Sequence, residues 1–200
     1  MVGVHKYDFS FTASSLRLNE LCLVARHELE GTTIDHVSEL GNGNSSTGKR
    51  MLAEFNKRLS FLTDKELQML VHGDLISQKQ IAFLSVCKAH AFIRDFVIEV
   101  LRDKILIFDY DVTEGEYLSF FRRKNELHLE MDDLTDITQY KLKQVIFKIL
   151  EQAGVIDSVK HKVIQPQLLD AKLIATVAED NKQWLKVFFM SDMDIENIRN

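Results

Sequence analysis

Two hundred residues with an apolar fraction of 46% suffice for one compact domain or two small ones sharing a face, and exclude an intrinsically disordered chain. One proline and eight glycines exclude an all-β sandwich, which needs many more turn breakers, and point to helices. The net charge of −5 excludes a uniformly basic protein but can hide a local basic face, so charge is read along the chain.

The opening, MVGVHKYDF, lacks the apolar run of a signal peptide. No stretch approaches the roughly 18 uncharged apolar residues of a membrane span, so a cytoplasmic protein with no membrane contact is expected. Thr12, Ser14 and Ser15 are good N-caps before Leu16, Leu18, Leu21, Leu23 and Val24, a helix that Gly31 ends. Thr33 opens a shorter helix with Ile34, Val37 and Leu40.

Residues 41–50 read GNGNSSTGKR. From Gly43 they match the phosphate-cradling pattern G-x-x-x-x-G-K-[ST] at every position but the last, where Arg50 replaces the hydroxyl that ligates Mg²⁺. That loop must leave a parallel strand and open a helix. The segment before Gly43 has a period of three and reads as helix. Ile105 to Asp109 resembles the apolar strand with a terminal Asp in such enzymes, but one strand candidate cannot build the sheet. The competing reading makes Ser45, Ser46 or Thr47 the cap of a helix.

That helix carries Leu52, Phe55, Leu59 and Leu62 as one apolar stripe. Thr63-x-x-Glu66 is a capping box for a short helix ending near Gly73. Ser77 caps a long pattern from Gln78 to about Leu101, apolar on more than one side and expected to be central. Residues 105–112 read as a short strand or connector. Thr113-x-x-Glu116 starts a helix running into Arg122, Arg123 and Lys124, followed by an acidic connector. Leu142, Val145, Ile146, Ile149 and Leu150 form the face of a late helix stopped by Gly154. VIDSV and HKVIQP then suggest a small β-hairpin terminated by Pro166, and a last helix runs from Lys182 to Met190.

The expected fold is mainly α: a helical bundle over residues 1–110 and a winged helix-turn-helix-like part over 111–200 carrying the hairpin. No zinc cluster or redox pair is expected, since Cys22 and Cys87 lie inside apolar helical patterns as free thiols. The histidines match no metal pattern, no nucleophile elbow occurs, and the acidic group Glu126, Glu130, Asp132 and Asp133 reads as solvated surface. Neither an enzyme nor a cofactor is expected.

Two basic features stand out. Between Lys49 and Lys65 the chain has five basic residues against two acidic, and Lys49, Arg50, Lys57 and Arg58 share one helix. In the second half, Lys141, Gln144 and Lys148 recur at i, i+3 and i+7 on the polar face of the late helix, positioned to reach phosphates or base edges. Lys160 and Lys162 flank the tip of the hairpin, and Arg122 and Arg123 end the preceding helix. These residues are the candidate contacts to double-stranded DNA.

YDFSFTASSLRLNE, SSTGKRMLAEFNKRLSFLTDKELQML with its Arg58-Leu59 pair, and LTDITQYKLKQVIFKILEQAGVI with Thr138, Lys141, Leu142, Ile149, Leu150, Ala153 and Gly154 together resemble the BrxA family of bacterial BREX phage-defence operons. The resemblance covers roughly residues 7–170. The tryptophan often found after that family's first helix is absent near Thr33–Val37; Trp184 is the single one here. The resemblance implies a small, mostly helical, non-enzymatic DNA-binding component working with other BREX proteins. Lys49, Arg50, Arg58 and Lys141 are the matching basic positions. A scaffold subunit with little DNA contact is the alternative, and a P-loop protein the remote one.

Overall fold

The computed structural model describes residues 6–198; the opening MVGVH of the signal-peptide reading lies outside them. Ten α-helices are present among the described residues, and no strand. They are α1 (Leu18–Glu30), α2 (Ser45–Leu59), α3 (Asp64–His72), α4 (Leu75–Ala89), α5 (Ala91–Phe96), α6 (Asp103–Leu106), α7 (Glu114–Asn125), α8 (Asp136–Ala153), α9 (Ala171–Asn181) and α10 (Asp192–Asn197).

The central position belongs to α4, which touches α1, α2, α3, α8 and the 3₁₀ turn Lys182–Phe188. Its residues Ile81 to Lys88 are all buried, as the two-sided apolar pattern requires. The expected long helix breaks at His90, whose extended backbone (φ −127°, ψ 95°) separates α4 from α5. A π-helical turn, Val97–Arg102, then joins α5 to α6. Phe92, Phe96 and Phe120 are fully buried with ring centroids 5.2–5.3 Å apart where they meet, linking α5 to α7. One core cluster includes residues of both halves of the chain.

Capping decides several boundaries. Both capping boxes are formed, at Thr63/Glu66 and Thr113/Glu116. The cap of α2 is Asn44, whose side chain accepts from Thr47 N–H, rather than a downstream hydroxyl residue. The cap of α4 is Asp74, three residues before the expected Ser77. The helix expected at Thr33 is a single π-helical turn, His36–Leu40.

The winged helix-turn-helix expectation is corrected. The proposed hairpin reduces to an isolated antiparallel bridge between Ile156 and Ile164, with a second between Asp111 and Val163. The arms are too short for strands. Gly154 caps α8 in a left-handed conformation (φ 75°), and Asp157 already closes the turn by accepting from Ser158 and Val163 N–H. On the return arm Lys162 is left-handed (φ 60°), and Pro166 cannot donate to a ladder. Two residues remain on the outgoing arm and three on the return arm. Residues 105–112 are likewise a connector: Ile105 and Leu106 end α6, and Lys104 pairs with Asp109 at 2.5 Å.

Candidate nucleic-acid interface

Residues 7–17 do not begin α1. After the 3₁₀ turn Ser10–Ala13 the chain is extended at Ser14 (φ −155°, ψ 140°), and Arg17 is left-handed (φ 46°), so α1 opens only at Leu18. These residues form a strap between α2 and α8. Beyond the 3₁₀ turn, the backbone groups of residues 14–17 that lack a helical partner are satisfied largely by side chains. Arg58 Nη2 donates to Ser14 O at 2.7 Å and Nη1 to Ser15 O at 2.8 Å. From the other side, Gln152 Oε1 accepts from Leu16 N–H at 2.9 Å and Arg17 N–H at 3.3 Å. Further out, Lys57 pairs with Asp8, and Ser10 Oγ donates to Glu54 Oε2 at 2.9 Å. Tyr7 stacks on His128 with centroids 3.7 Å apart, and its hydroxyl donates to Asp95 at 2.6 Å.

Arg58 therefore has a different role from the expected one. Its side chain is 0% exposed and donates through Nε to Glu54 Oε1 at 2.8 Å, while His90 Nε2 lies 2.6 Å from the same oxygen. A guanidinium sealed under the strap cannot reach a duplex backbone. Burial pushes the Glu54 carboxyl up, but the His90 hydrogen bond and the Arg58 charge outweigh it and hold the acid below its ordinary value.

The other candidates divide by availability. Lys49, Arg50, Arg122, Lys141 and Lys160 are exposed. Lys57 is half-buried and engaged with Asp8. Arg123 pairs with Glu99 at 2.9 Å and lies over the Phe120 ring. Lys162 lies over the Phe147 ring, 5.5 Å from its centroid. Arg122 lines a separate depression with Asn125, Met131 and Gln139.

Gln144 and Lys148 come together with residues the sequence did not single out. They line a groove of about 490 Å³ whose opposite wall is Ser14, Ser15 and Arg17, with Val159 at one end. Lys141 stands on the same α8 face three residues before Gln144, and Lys160 follows Val159. On the α2 side, Arg17 Nη1 lies 3.5 Å from Met51 Sδ, and Arg50 is the preceding residue on that helix. Arg17 thus stands between the two basic segments, which are far apart in sequence. Its position inside the pattern LRLNE looked like the polar face of a helix, so periodicity concealed it.

GNGNSSTGKR does not form a phosphate cradle. It follows a π-helical turn rather than a strand, and both of its motif glycines have their amides committed to the backbone. Gly43 N–H donates to Val37 O at 2.8 Å, Asn44 N–H to Gly41 O at 2.9 Å and Gly48 N–H to Asn44 O at 3.0 Å. Gly48 serves close packing: a Cβ there would sit 1.9 Å from His36 O.

These features define a class: a small α-helical protein whose N-terminal strap is held between α2 and α8 and forms a groove with the polar face of α8. The BrxA family model matches residues 5–181, and the chain belongs to the BrxA family. It is 29% identical over 130 residues to the BREX protein BrxA of Bacillus cereus (strain H3081.97), spanning 64% of this chain and 65% of that relative. It is 26% identical over 190 residues to the BREX protein BrxA of Paramagnetospirillum magneticum (strain ATCC 700264 / AMB-1), spanning 90% and 94%. A crystal structure of an uncharacterized protein from Magnetospirillum magneticum shares the fold, with a TM-score of 0.79 at 22% identity over 93% of this chain and 99% of that one. No helix among the described residues is long and apolar enough to cross a membrane.

Proposed function

We propose that this protein is a non-enzymatic, DNA-binding accessory component of a BREX defence system, acting with other BREX proteins and holding duplex DNA mainly by its backbone phosphates. The observation that carries the reading is the arrangement of Arg50, Arg17 and Lys148 on α2, the strap and α8. Lys49, Lys141 and Lys160 lie beside them, exposed. Phosphate contacts of this kind are strong at low salt and weaken as counterions return to the duplex. The chain's overall acidity leaves the rest of its surface repelled by DNA, which confines binding to this face.

The test is fluorescence anisotropy of a labelled duplex at several salt concentrations. Wild type binds with an affinity that falls steeply with salt. Changing Lys49 and Arg50 together to Ala weakens binding on every sequence and lowers the slope of log affinity against log salt by about 0.9 per lost contact. Salt-independent binding, or an unchanged slope in the double variant, sinks the proposal for this face.

One observation favours the scaffold reading as second. Ile107 and Phe108 are 73% and 81% exposed at the end of α6, and Leu168 is 83% exposed. Apolar side chains so presented mark surfaces for protein partners. Retained association with a BREX partner in a variant that has lost DNA binding would separate the two roles.

A further inference from the structure

The strap groove contains a hydrogen-bonding group that the fold leaves unused. Ser14 is 6% exposed, lines the groove, and its Oγ has no partner among the described residues. Buried hydroxyls are nearly always paired, so an orphan at a groove wall needs an explanation. The Ser14 carbonyl is already taken by Arg58, which fixes the residue's position.

Two cations face the same groove from opposite walls, and each is held by a carboxylate three residues along its chain. Arg17 Nε and Nη2 donate to Glu20 Oε1 at 2.9 and 2.5 Å. Lys148 Nζ donates to Glu151 Oε2 at 2.5 Å. Both pairs are partly open to solvent, where such pairs are weakly held and easily exchanged. The Gln144 amide completes the lining.

We propose that this groove is a seat for one phosphate group, masked by Glu20 and Glu151 until the phosphate displaces them. Rotation of the Ser14 side chain toward the groove lets its Oγ donate to a phosphate oxygen beside Gln144 Nε2, and Arg17 and Lys148 supply the charge. The identification of that phosphate as a duplex phosphodiester rests on the function proposed above. The chemistry itself also accepts a free phosphate, so the test separates the sources.

The first arm is thermal unfolding of the full chain in sodium phosphate and in sodium chloride at matched ionic strength. Phosphate raises the midpoint above chloride in a saturable manner. S14A and R17Q abolish that difference, while E20Q and E151Q enlarge it by unmasking a cation. S14A keeps or raises the midpoint in chloride, because it removes an unpartnered buried hydroxyl, so its lost phosphate response cannot be assigned to misfolding. Equal midpoints in the two salts for wild type, E20Q and E151Q overturn the seat. The second arm is duplex binding at fixed salt, where E151Q binds several-fold tighter and S14A several-fold weaker. A phosphate response without duplex binding keeps the seat, assigns it to a free phosphate compound and removes the DNA reading. Duplex binding that is equal in wild type, S14A, R17Q and E151Q, with no phosphate response, removes the seat and leaves the DNA reading standing.

Discussion

Truncating Arg58 to Ala should unfold the strap rather than remove a DNA contact. The wild-type guanidinium satisfies three acceptors, Glu54 Oε1, Ser14 O and Ser15 O, in a site with 0% and 1% side-chain exposure for Arg58 and Glu54. Removing one partner of a buried ion pair costs about 3–5 kcal/mol, because the remaining charge stays buried. His90 and Ser10 still contact Glu54, which lowers the cost, but two strap carbonyls lose their donors, which raises it. A loss of about 4 kcal/mol is therefore expected. At about 2–4 °C per kcal/mol for a chain of this size, the thermal midpoint falls by roughly 8–16 °C. Urea denaturation of wild type, R58A, R58M and the pair E54Q/R58M measures it. The pair should recover part of the R58M loss, since the uncompensated carboxylate is gone. A stability loss below about 1 kcal/mol in R58A, together with lost DNA affinity, would show that the side chain leaves its buried site to meet DNA, and the reasoning would be wrong.

Two further outcomes follow from the same region. Glu54 has its folded pKa below the unfolded value, so its contribution is fully present above the ordinary glutamate value near 4.3 and is lost as pH falls through the folded value. Urea midpoints measured from pH 7 to pH 3 should drop through that acid window, and E54Q should flatten the drop while lowering stability at pH 7. Gly48→Ala should cost about 1–3 kcal/mol, since its Cβ meets the His36 carbonyl oxygen at 1.9 Å and one of two backbones must move. A neutral Gly48→Ala in thermal unfolding would mean the π-helical turn yields freely.

The fold was legible where local chemistry and periodicity agreed. Both capping boxes and the stripe Leu52, Phe55, Leu59 and Leu62 led directly to α2, α3 and α7, and the two-sided pattern of residues 78–101 marked the centre of the bundle. The break at His90 was hidden because apolar residues continue in helical phase on both sides of it. The reduced hairpin was over-read because β-branched residues at 155–156 and 163–164 signal strands without revealing how little chain remains between Gly154, Asp157, Lys162 and Pro166. The end of the strap, Leu16 and Arg17, was read as the start of a helix because Ser14 and Ser15 are good caps, and tertiary hydrogen bonds from Arg58 and Gln152 favour the extended path. At the candidate site, charge and spacing singled out Lys49, Arg50, Lys141 and Gln144, and all four side chains are exposed. Arg17 was missed, because a sequence shows a cation but not the groove it faces. Arg58 was misassigned for the same reason: charge in a sequence does not distinguish a solvated arginine from one sealed against Glu54.

The three stretches by which the chain resembles its family are the three that meet at the strap. YDFSFTASSLRLNE supplies the strap itself, the Lys-Arg and Arg-Leu block supplies Lys57, Arg58 and Glu54 beneath it, and the late-helix segment supplies Gln152 across from it. Of the family-matching basic positions, Arg58 is the one built into the polar interlock that holds this extended segment between two helices. This changes which shared residues carry functional weight. Arg58 belongs to the interlock, and its presence speaks for a common fold. Lys49, Arg50 and Lys141 are exposed, and no ion pair holds them among the described residues, so packing does not account for their charge. The interlock in turn gives these cations their value: by fixing the strap it places Arg17 against α2 and opposite Lys148, joining two basic segments that separate domains would leave apart. Loosening it at Arg58 is expected to disperse the basic face while leaving every exposed cation in the chain.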